Sequence, residues 1–345
     1  MDSSTAANER LHSPIPRHFA LVLAVCIVLL IVCAAASLAF GSRMVGVHEL
    51  MDGLFHPAAD SFGADVVRKR ISRTVFSLLC GAALGVSGSL MQSVTRNPIA
   101  DPSILGVNMG ASLFVVCGIA FLHISTANQY IWLAVAGAAI TAVFVFGIGS
   151  MGRGGATPIK LVLAGAATSA ALSSLVTAIM IPRSYVMDQF RFWQVGSVGS
   201  ASWSGIGTFV PFLLVGMLVA ILVAPALNAL ALGDDAATGL GVRTGTLRLS
   251  AAMAGVLLCG VTTALAGPIG FIGLIATHIV RLVLGPDLRL LIPMSALSGA
   301  IILTIADVGG RLVGSPGELE VGVVTAFIGA PILIIVAIKS KARTL

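Results

Sequence analysis

Eight stretches of this chain contain no Asp, Glu, Lys or Arg: 18–42, 74–95, 102–152, 161–182, 192–233, 249–280, 290–306 and 321–338. A helix needs about 20 apolar residues to cross a bilayer, so these stretches map candidate crossings. The interval 102–152 divides at the polar run His123–Gln129. The interval 249–280 divides at Gly267-Pro268, where a helix breaks, and its second half continues through Arg281 to about Gly285. Residues 192–233 begin with a polar, Gly-rich dozen and leave one crossing near 206–231. The expected total is ten helices. Composition agrees: of 345 residues 57% are hydrophobic and only 10% charged. A soluble domain carries about 25% charged residues, so most of this surface must meet lipid. The 39 glycines, against three Trp and two Tyr, suit helices packed at close range. The expected fold class is an all-α polytopic membrane protein.

An even number of crossings puts both termini on one side, and positive charge selects which side. With the termini inside, the inner segments hold twelve basic and six acidic residues, and the outer segments eight of each. Both termini are therefore expected in the cytoplasm. Tails at 1–18 and 339–345 would flank one ten-helix domain at 19–338. The apolar run at 19–40 is longer than the ~7–15 residues of a signal core, so it reads as a retained first helix. The net charge of +6 follows from the inner-leaflet bias. No basic patch interleaved with aromatics points to nucleic acid.

The chemistry that is missing narrows the function. Carriers driven by protons or sodium usually hold an ionisable group near mid-membrane. Here the exceptions, Asp307 and Arg281, sit toward helix ends. None of the four lysines follows a glycine, so there is no phosphate-cradling Walker A loop. A pump of this kind must draw its energy from another chain. There is no HExxH, and no pair of histidines at ligand spacing. The five cysteines lie in apolar runs without a CxxC, so neither a metal site nor a disulfide framework is indicated. Gly85-Val86-Ser87-Gly88 has the form used by intramembrane serine hydrolases, with His278 as a candidate base. The competing and favoured reading makes Gly81, Gly85 and Gly88 a packing face. A hydrolase using Ser87 and His278, and a secondary carrier without an ATPase, stand as alternatives.

Three loops look like more than connectors. Arg96-Asn97-Pro98-Ile99-Ala100-Asp101-Pro102 has two prolines that stop a helix, with Asp101 placed to cap the third helix. The inner loop 228–248 carries Gly233, then Asp234 or Asp235 as the cap of a short Ala-rich helix ended by Gly239 and Gly241. Such a helix parallel to the membrane would suit a lever gripped by a cytoplasmic partner, or a plain surface helix. On the outside, Arg70-Ile71-Ser72-Arg73 is expected to open the second helix, and Arg311 to lie just beyond the ninth. Their compensation is expected from Asp60 and Asp65 or lipid phosphate. Functionally they would form a docking rim for carboxylates of an external partner.

Together these segments resemble the permease subunits of bacterial iron-siderophore and vitamin B12 importers, a type of ATP-binding-cassette importer. The resemblance runs from about Arg70 to Pro331. It rests on Arg70-Ile71-Ser72-Arg73, Gly81-Ala82-Ala83-Leu84 through Ser87-Gly88 and Gln92, and Arg96 to Gly106. It continues through Arg191-Phe192-Trp193-Gln194, Ala231-Leu232-Gly233, Gly267-Pro268-Ile269-Gly270-Phe271, Ala306-Asp307, Arg311, Gly317-Glu318-Leu319 and Gly329-Ala330-Pro331. The run Asp188-Gln189-Phe190-Arg191-Phe192-Trp193 looks most like permeases for ferric enterobactin-type siderophores.

The resemblance implies a type II importer permease fold in a bacterial cytoplasmic membrane. It implies a second permease subunit, two cytoplasmic ATPase subunits that hold the ATP, an external substrate-binding protein and a ferric siderophore as cargo. Heme and cobalamin remain open as cargo. No cofactor is bound by the permease itself, and no covalent chemistry is expected of it. By resemblance, Arg70, Arg73 and Arg311 receive acidic residues of the binding protein. Gly233, Asp234, Asp235, Gly239, Leu240, Gly241 and Arg243 form the ATPase coupling loop. Asn97 and Ile99 match a cytoplasmic gate, joined by Thr157 and Pro158. The sequence departs from the family at Ser72, usually proline, at Glu320, where Glu-Leu-Pro is usual, and at Pro158, usually small and polar.

Overall fold

The computed structural model of the chain describes residues 18–42, 45–56, 61–124, 126–152 and 158–341. Among them every regular element is a helix: α1 (Phe19–Ala39), α2 (Val47–Phe55), α3 (Phe62–Thr95), a 3-10 turn (Pro102–Leu105), α4 (Val107–Leu122), α5 (Ala127–Ser150) and α6 (Pro158–Met180). Then follow α7 (Ser184–Gln194), α8 (Trp203–Ala231), α9 (Asp234–Gly239), α10 (Thr244–Ala266), α11 (Ile272–Leu284), α12 (Leu288–Val313) and α13 (Val321–Lys341). Seven helices (α1, α3, α5, α6, α8, α10 and α12) are long and apolar enough to cross a membrane. Three more are apolar but shorter: α4, α11 and Val321–Val336 within α13.

Two boundaries differ from expectation. The second apolar helix begins at Phe62, so Arg70-Ile71-Ser72-Arg73 lies inside it instead of opening it. Ser61 caps that start by accepting the Ala64 N–H at 3.2 Å, and Asp65 in the first turn pairs with Arg68 at 2.8 Å. Likewise α12 runs on to Val313, which puts Arg311 in its last turn and not beyond it. In both cases the absence of charge marks where lipid solvates a helix, whereas its ends are set by caps and local pairing. The short helices α2 and α7 are additions that the apolar pattern did not signal.

The buried axis of the bundle is α3. In its most apolar window 78% of residues are buried, against 6% for α1. A helix enclosed on all sides loses its one-faced pattern. Glycine allows the close approach. A Cβ at Gly81, Gly85 or Gly88 would strike the backbone of Gly299, Ser295 or Gly273 respectively. Hydroxyl pairs tie the same helices: Ser77 to Thr304 at 3.3 Å, Ser89 to Thr277 at 3.1 Å, and Ser37 of α1 to Thr74 at 2.7 Å. On the periphery, Leu21, Leu163 and Phe327 are 68%, 65% and 83% exposed, an apolar surface suited to lipid or to another chain.

The break between α10 and α11 shows why α7 belongs to the fold. Gly267 takes φ +72° and α11 starts only at Ile272, so the last carbonyls of α10 lack helical partners. Trp193 Nε1 donates to the Ala264 carbonyl at 3.2 Å, and the Ser197 N–H to the Ala266 carbonyl at 2.6 Å. A Cβ at Gly267 would collide with the Trp193 carbonyl, which makes glycine the residue this junction requires. The Gly322 N–H donates to the Gly196 carbonyl at 2.9 Å and draws the start of α13 to the same place.

Candidate docking and coupling sites

At one end of the bundle Arg70, Arg73 and Arg311 come together from α3 and α12. They line a cavity of about 440 Å³ shared with Lys69, Gly199 and Glu318. The three are not free rim charges. Arg70 is 7% exposed, and its Nη1 donates to the carbonyls of Leu38 and Ala39, each at 3.0 Å. It thereby satisfies the C-terminal carbonyls of α1. Arg311, 1% exposed, donates from Nη1 to the carbonyls of Ser37 at 3.0 Å and Phe40 at 3.2 Å, and pairs with Asp307 at 3.0 Å. Arg73 grips Asp307 through Nε and Nη2, the latter at 2.8 Å, and Glu318 through Nη1 at 2.6 Å. Compensation therefore comes from Asp307, Glu318 and helix-end carbonyls. Asp65 instead serves Arg68, and Asp60 lies outside the described residues.

Asp307 was legible only as a lone acid near a helix end. With 1% exposure it is the shared carboxylate of two arginines. A buried charge is tolerable when it is paired and hydrogen-bonded, and this one is both. The signal that could have revealed it is its spacing four before Arg311, which puts the two on one helix face. Glu318 differs: at 39% side-chain exposure it covers Arg73 from the solvent side.

At the opposite end the loop after α8 forms the short helix α9. Gly233 takes φ +116°, Asp234 and Asp235 occupy the first turn, and Gly239 is its last residue. Leu240 follows, 55% exposed; Gly241 turns the chain at φ +80°, and Arg243 stands just before α10 without a side-chain capping bond. Asp234 is the hub of this region. Arg96, at the C-terminus of α3, donates to it at 2.7 Å and to the Leu230 carbonyl at 2.6 Å. Arg248 of α10 donates to it at 2.9 Å. Neither pairing was legible in the sequence: Arg248 closes the same inner loop as Asp234, but Arg96 lies 138 residues away and nothing local brings it there.

The loop after α3 is braced through its own backbone. The Asn97 N–H donates to the Gln92 carbonyl at 3.2 Å, and the Asn97 side chain accepts the Ile99 N–H at 3.1 Å. Asp101 accepts the Ser103 N–H at 2.9 Å, so it caps the 3-10 turn ahead of α4 rather than α4 itself. Burial pushes the Asp101 carboxyl up, against the pull of that hydrogen bond. Pro158 opens α6, and Thr157 lies outside the described residues. The 3-10 turn packs against α6, which brings the loop of Asn97 and Ile99 near it. A further tie joins α8 to α12. Asn228 donates to Asp287 at 2.7 Å and accepts the Leu288 N–H at 2.9 Å. Burial opposes ionisation of Asp287, but bonds from Arg289 and Asn228 hold its carboxyl below the usual carboxylate range.

Ser87 is fully buried, and its hydroxyl donates to the Gly255 carbonyl. With Gly85 and Gly88 against the neighbouring backbone, that segment is the packing face of α3. No group of three or more metal-ligating side chains occurs among the described residues.

A lipid-exposed bundle of apolar helices with charge confined to its two ends is a multi-pass membrane protein. Residues 29–339 match the FecCD transport family, and the chain belongs to that family. It is 40% identical over 317 residues to the ferric enterobactin transport system permease protein FepD of Escherichia coli (strain K12), covering 92% of this chain and 94% of that one. It is 38% identical over 322 residues to the iron(3+)-hydroxamate import system permease protein FhuB of Bacillus subtilis (strain 168), covering 93% and 84%. Among solved structures it is similar to an inward-facing metal-chelate type ABC transporter, with a TM-score of 0.80 at 25% identity over 93% of this chain and 99% of the other.

Proposed function

We propose that this chain is the permease subunit of an ATP-driven importer for ferric siderophores in a bacterial cytoplasmic membrane. The observation that carries the reading is the FecCD membership together with α9, a short helix that Asp234 ties to both α3 and α10. The likeness to permeases for ferric enterobactin and iron(3+)-hydroxamate supports the cargo class.

On this reading all ten apolar helices cross the membrane, the three shorter ones included, and both termini are cytoplasmic. The ten form one domain, 19–338, with cytoplasmic tails on either side. A second permease subunit completes the pathway, two ATPase subunits grip the loop from Gly233 to Arg243, and a binding protein docks outside. ATP binding on those partners pulls α9, and Asp234 passes the displacement to Arg96 and so to the loop of Asn97 and Ile99. That loop, with Thr157 and Pro158, opens toward the cytoplasm. On the outer face Arg73, backed by the buried Arg70 and Arg311, receives a carboxylate of the binding protein. Arg73 does so by exchanging Glu318 for a partner's acid. The permease itself performs no covalent chemistry.

The test is reconstitution with candidate ATPase and binding proteins in sealed vesicles, scoring ATP hydrolysis and uptake against a panel of ferric chelates. Stimulation by a ferric siderophore supports the proposal. Uphill uptake by the purified chain alone, or no association with any nucleotide-hydrolysing subunit, would overturn it.

A further inference from the structure

Between the ends of α3, α8, α11 and α12, near Asp234, lies a cavity of about 270 Å³. Its lining includes Gln92, Ser93, Arg96, Leu227 and Arg281, with two guanidinium groups and no carboxylate. Gln92 is 2% exposed, and both its amide nitrogen and its amide oxygen lack a hydrogen-bond partner among the described residues. Buried polar groups in folded proteins are nearly always bonded, so an orphaned pair on one side chain calls for an explanation. Arg281 is half-buried in the last turn of α11; its carbonyl accepts the Gly285 N–H, but its guanidinium has no ion pair or hydrogen bond among the described residues. A helix C-terminus suits a cation there but gives this one no bonding partner.

Two acids beside the cavity bond elsewhere and form no pair with Arg281. Asp234 is held by Arg96 and Arg248, and Asp287 by Arg289 and Asn228. Arg96 uses one terminal nitrogen for both Asp234 and the Leu230 carbonyl. The Ser93 hydroxyl donates to the Ser89 carbonyl at 2.7 Å, which leaves its lone pairs free to accept. The cavity thus combines an unpaired cation, an amide N–H donor and an amide C=O acceptor.

We infer that this cavity binds a phosphate-class oxyanion that carries a hydroxyl, either hydrogenphosphate or the headgroup of a phosphoglycerol lipid. The oxyanion accepts from Arg281 and from the Gln92 amide nitrogen, in the charge-assisted geometry guanidinium favours. Its hydroxyl donates to the Gln92 amide oxygen. The demand for a donor separates this ligand from sulfate, which offers charge and acceptors only. Basic pockets between spanning helices at the cytoplasmic end are a recurrent setting for anionic headgroups. Filling the cavity would stiffen the junction of α3 and α11 beside the Asp234 hub. The inference concerns the chain alone and holds whichever importer it serves.

The experiment uses the purified, delipidated full chain in detergent and follows thermal unfolding. Inorganic phosphate, sulfate, short-chain phosphatidylglycerol and short-chain phosphatidylcholine are titrated separately. Phosphate or phosphatidylglycerol is expected to raise the unfolding temperature more than sulfate or phosphatidylcholine does. A response to both phosphate and phosphatidylglycerol identifies the free anion as sufficient, and a response to phosphatidylglycerol alone identifies the headgroup. Arg281→Gln is expected to weaken binding at least tenfold, about 1.4 kcal/mol. Gln92→Leu removes the orphaned amide. It is expected to unfold at the wild-type temperature or higher without ligand, yet to lose the preference for phosphate over sulfate. No response to either phosphate source, equal responses to phosphate and sulfate, or unchanged binding in Gln92→Leu would each overturn the assignment.

Discussion

At the scale of single residues the decisive group is Asp307. Its carboxylate is 1% exposed and faces two arginines, so removing it leaves buried positive charge without a counter-ion. Asp307→Ala is expected to destabilise the chain by about 3–5 kcal/mol, read as a fall in thermal unfolding temperature in detergent. Glu318→Gln disrupts a pair whose acid is 39% exposed, and should cost less than about 1 kcal/mol. The same change uncovers one face of Arg73, so binding-protein association should speed up most at low ionic strength, measured by stopped flow. An unchanged rate there would remove Arg73 from the docking surface. Asp287 provides a pH dependence of definite sign. Its folded carboxyl titrates below the usual carboxylate range. The stabilisation from its bonds to Arg289 and Asn228 is therefore fully present at neutral pH, above the usual carboxylate range near about pH 4. It is lost progressively as the pH falls from that range down through the folded value. Asp287→Asn should flatten that acid limb in a plot of unfolding temperature against pH.

At the scale of elements, α3 and α9 carry the argument. The glycine face of α3 was visible as a repeat, but which helices it meets was not. That depends on α11 and α12, about 200 residues away in sequence, folding back on it. Gly85→Leu places a side chain against the Ser295 backbone, which cannot yield as a flexible side chain would. The expected loss is about 1–3 kcal/mol or more, with lower yield of folded protein as the first sign. For α9 the expectation is the reverse: little change in stability but a large change in coupling. Asp234 is 48% exposed, so Asp234→Ala should barely move the unfolding temperature. In the reconstituted importer it should uncouple ATP hydrolysis from uptake. Normal coupling in that variant would show that the link through Arg96 carries no motion. The helices α2 and α7 were not legible, because each is short, polar on one side and dependent on neighbours. For α7, the broken end of α10 supplies that neighbour.

At the scale of the whole molecule the open quantity is the number of crossings. The helix α4 has 16 residues and α11 has 13, about 24 and 20 Å long, both shorter than a typical hydrocarbon core of about 30 Å. Flanking segments must complete them, as the 3-10 turn does before α4 and the non-helical 267–271 stretch before α11. In a cysteine-free background, Ile99→Cys and Thr238→Cys bracket α4, α5, α6 and α8. If all four cross, both positions react with an impermeant maleimide from the same face of sealed vesicles. Reaction from opposite faces would mean that an odd number of the four cross, and α4, with 16 residues, is the shortest of them.

What the residues alone determined is where the chain can meet lipid, since transfer of a charged side chain into hydrocarbon is costly and its absence is readable one residue at a time. The break at Gly267-Pro268, the Asp-capped helix after Gly233 and the family resemblance came from equally local patterns. Only the tertiary structure decided which charges neutralise which. The partnerships of Arg73 with Asp307, Arg311 with the end of α1, and Asp234 with Arg96 join positions far apart in the chain. Such pairs form because a low-dielectric interior makes an unpaired charge expensive, and that cost depends on what folding brings within about 3 Å.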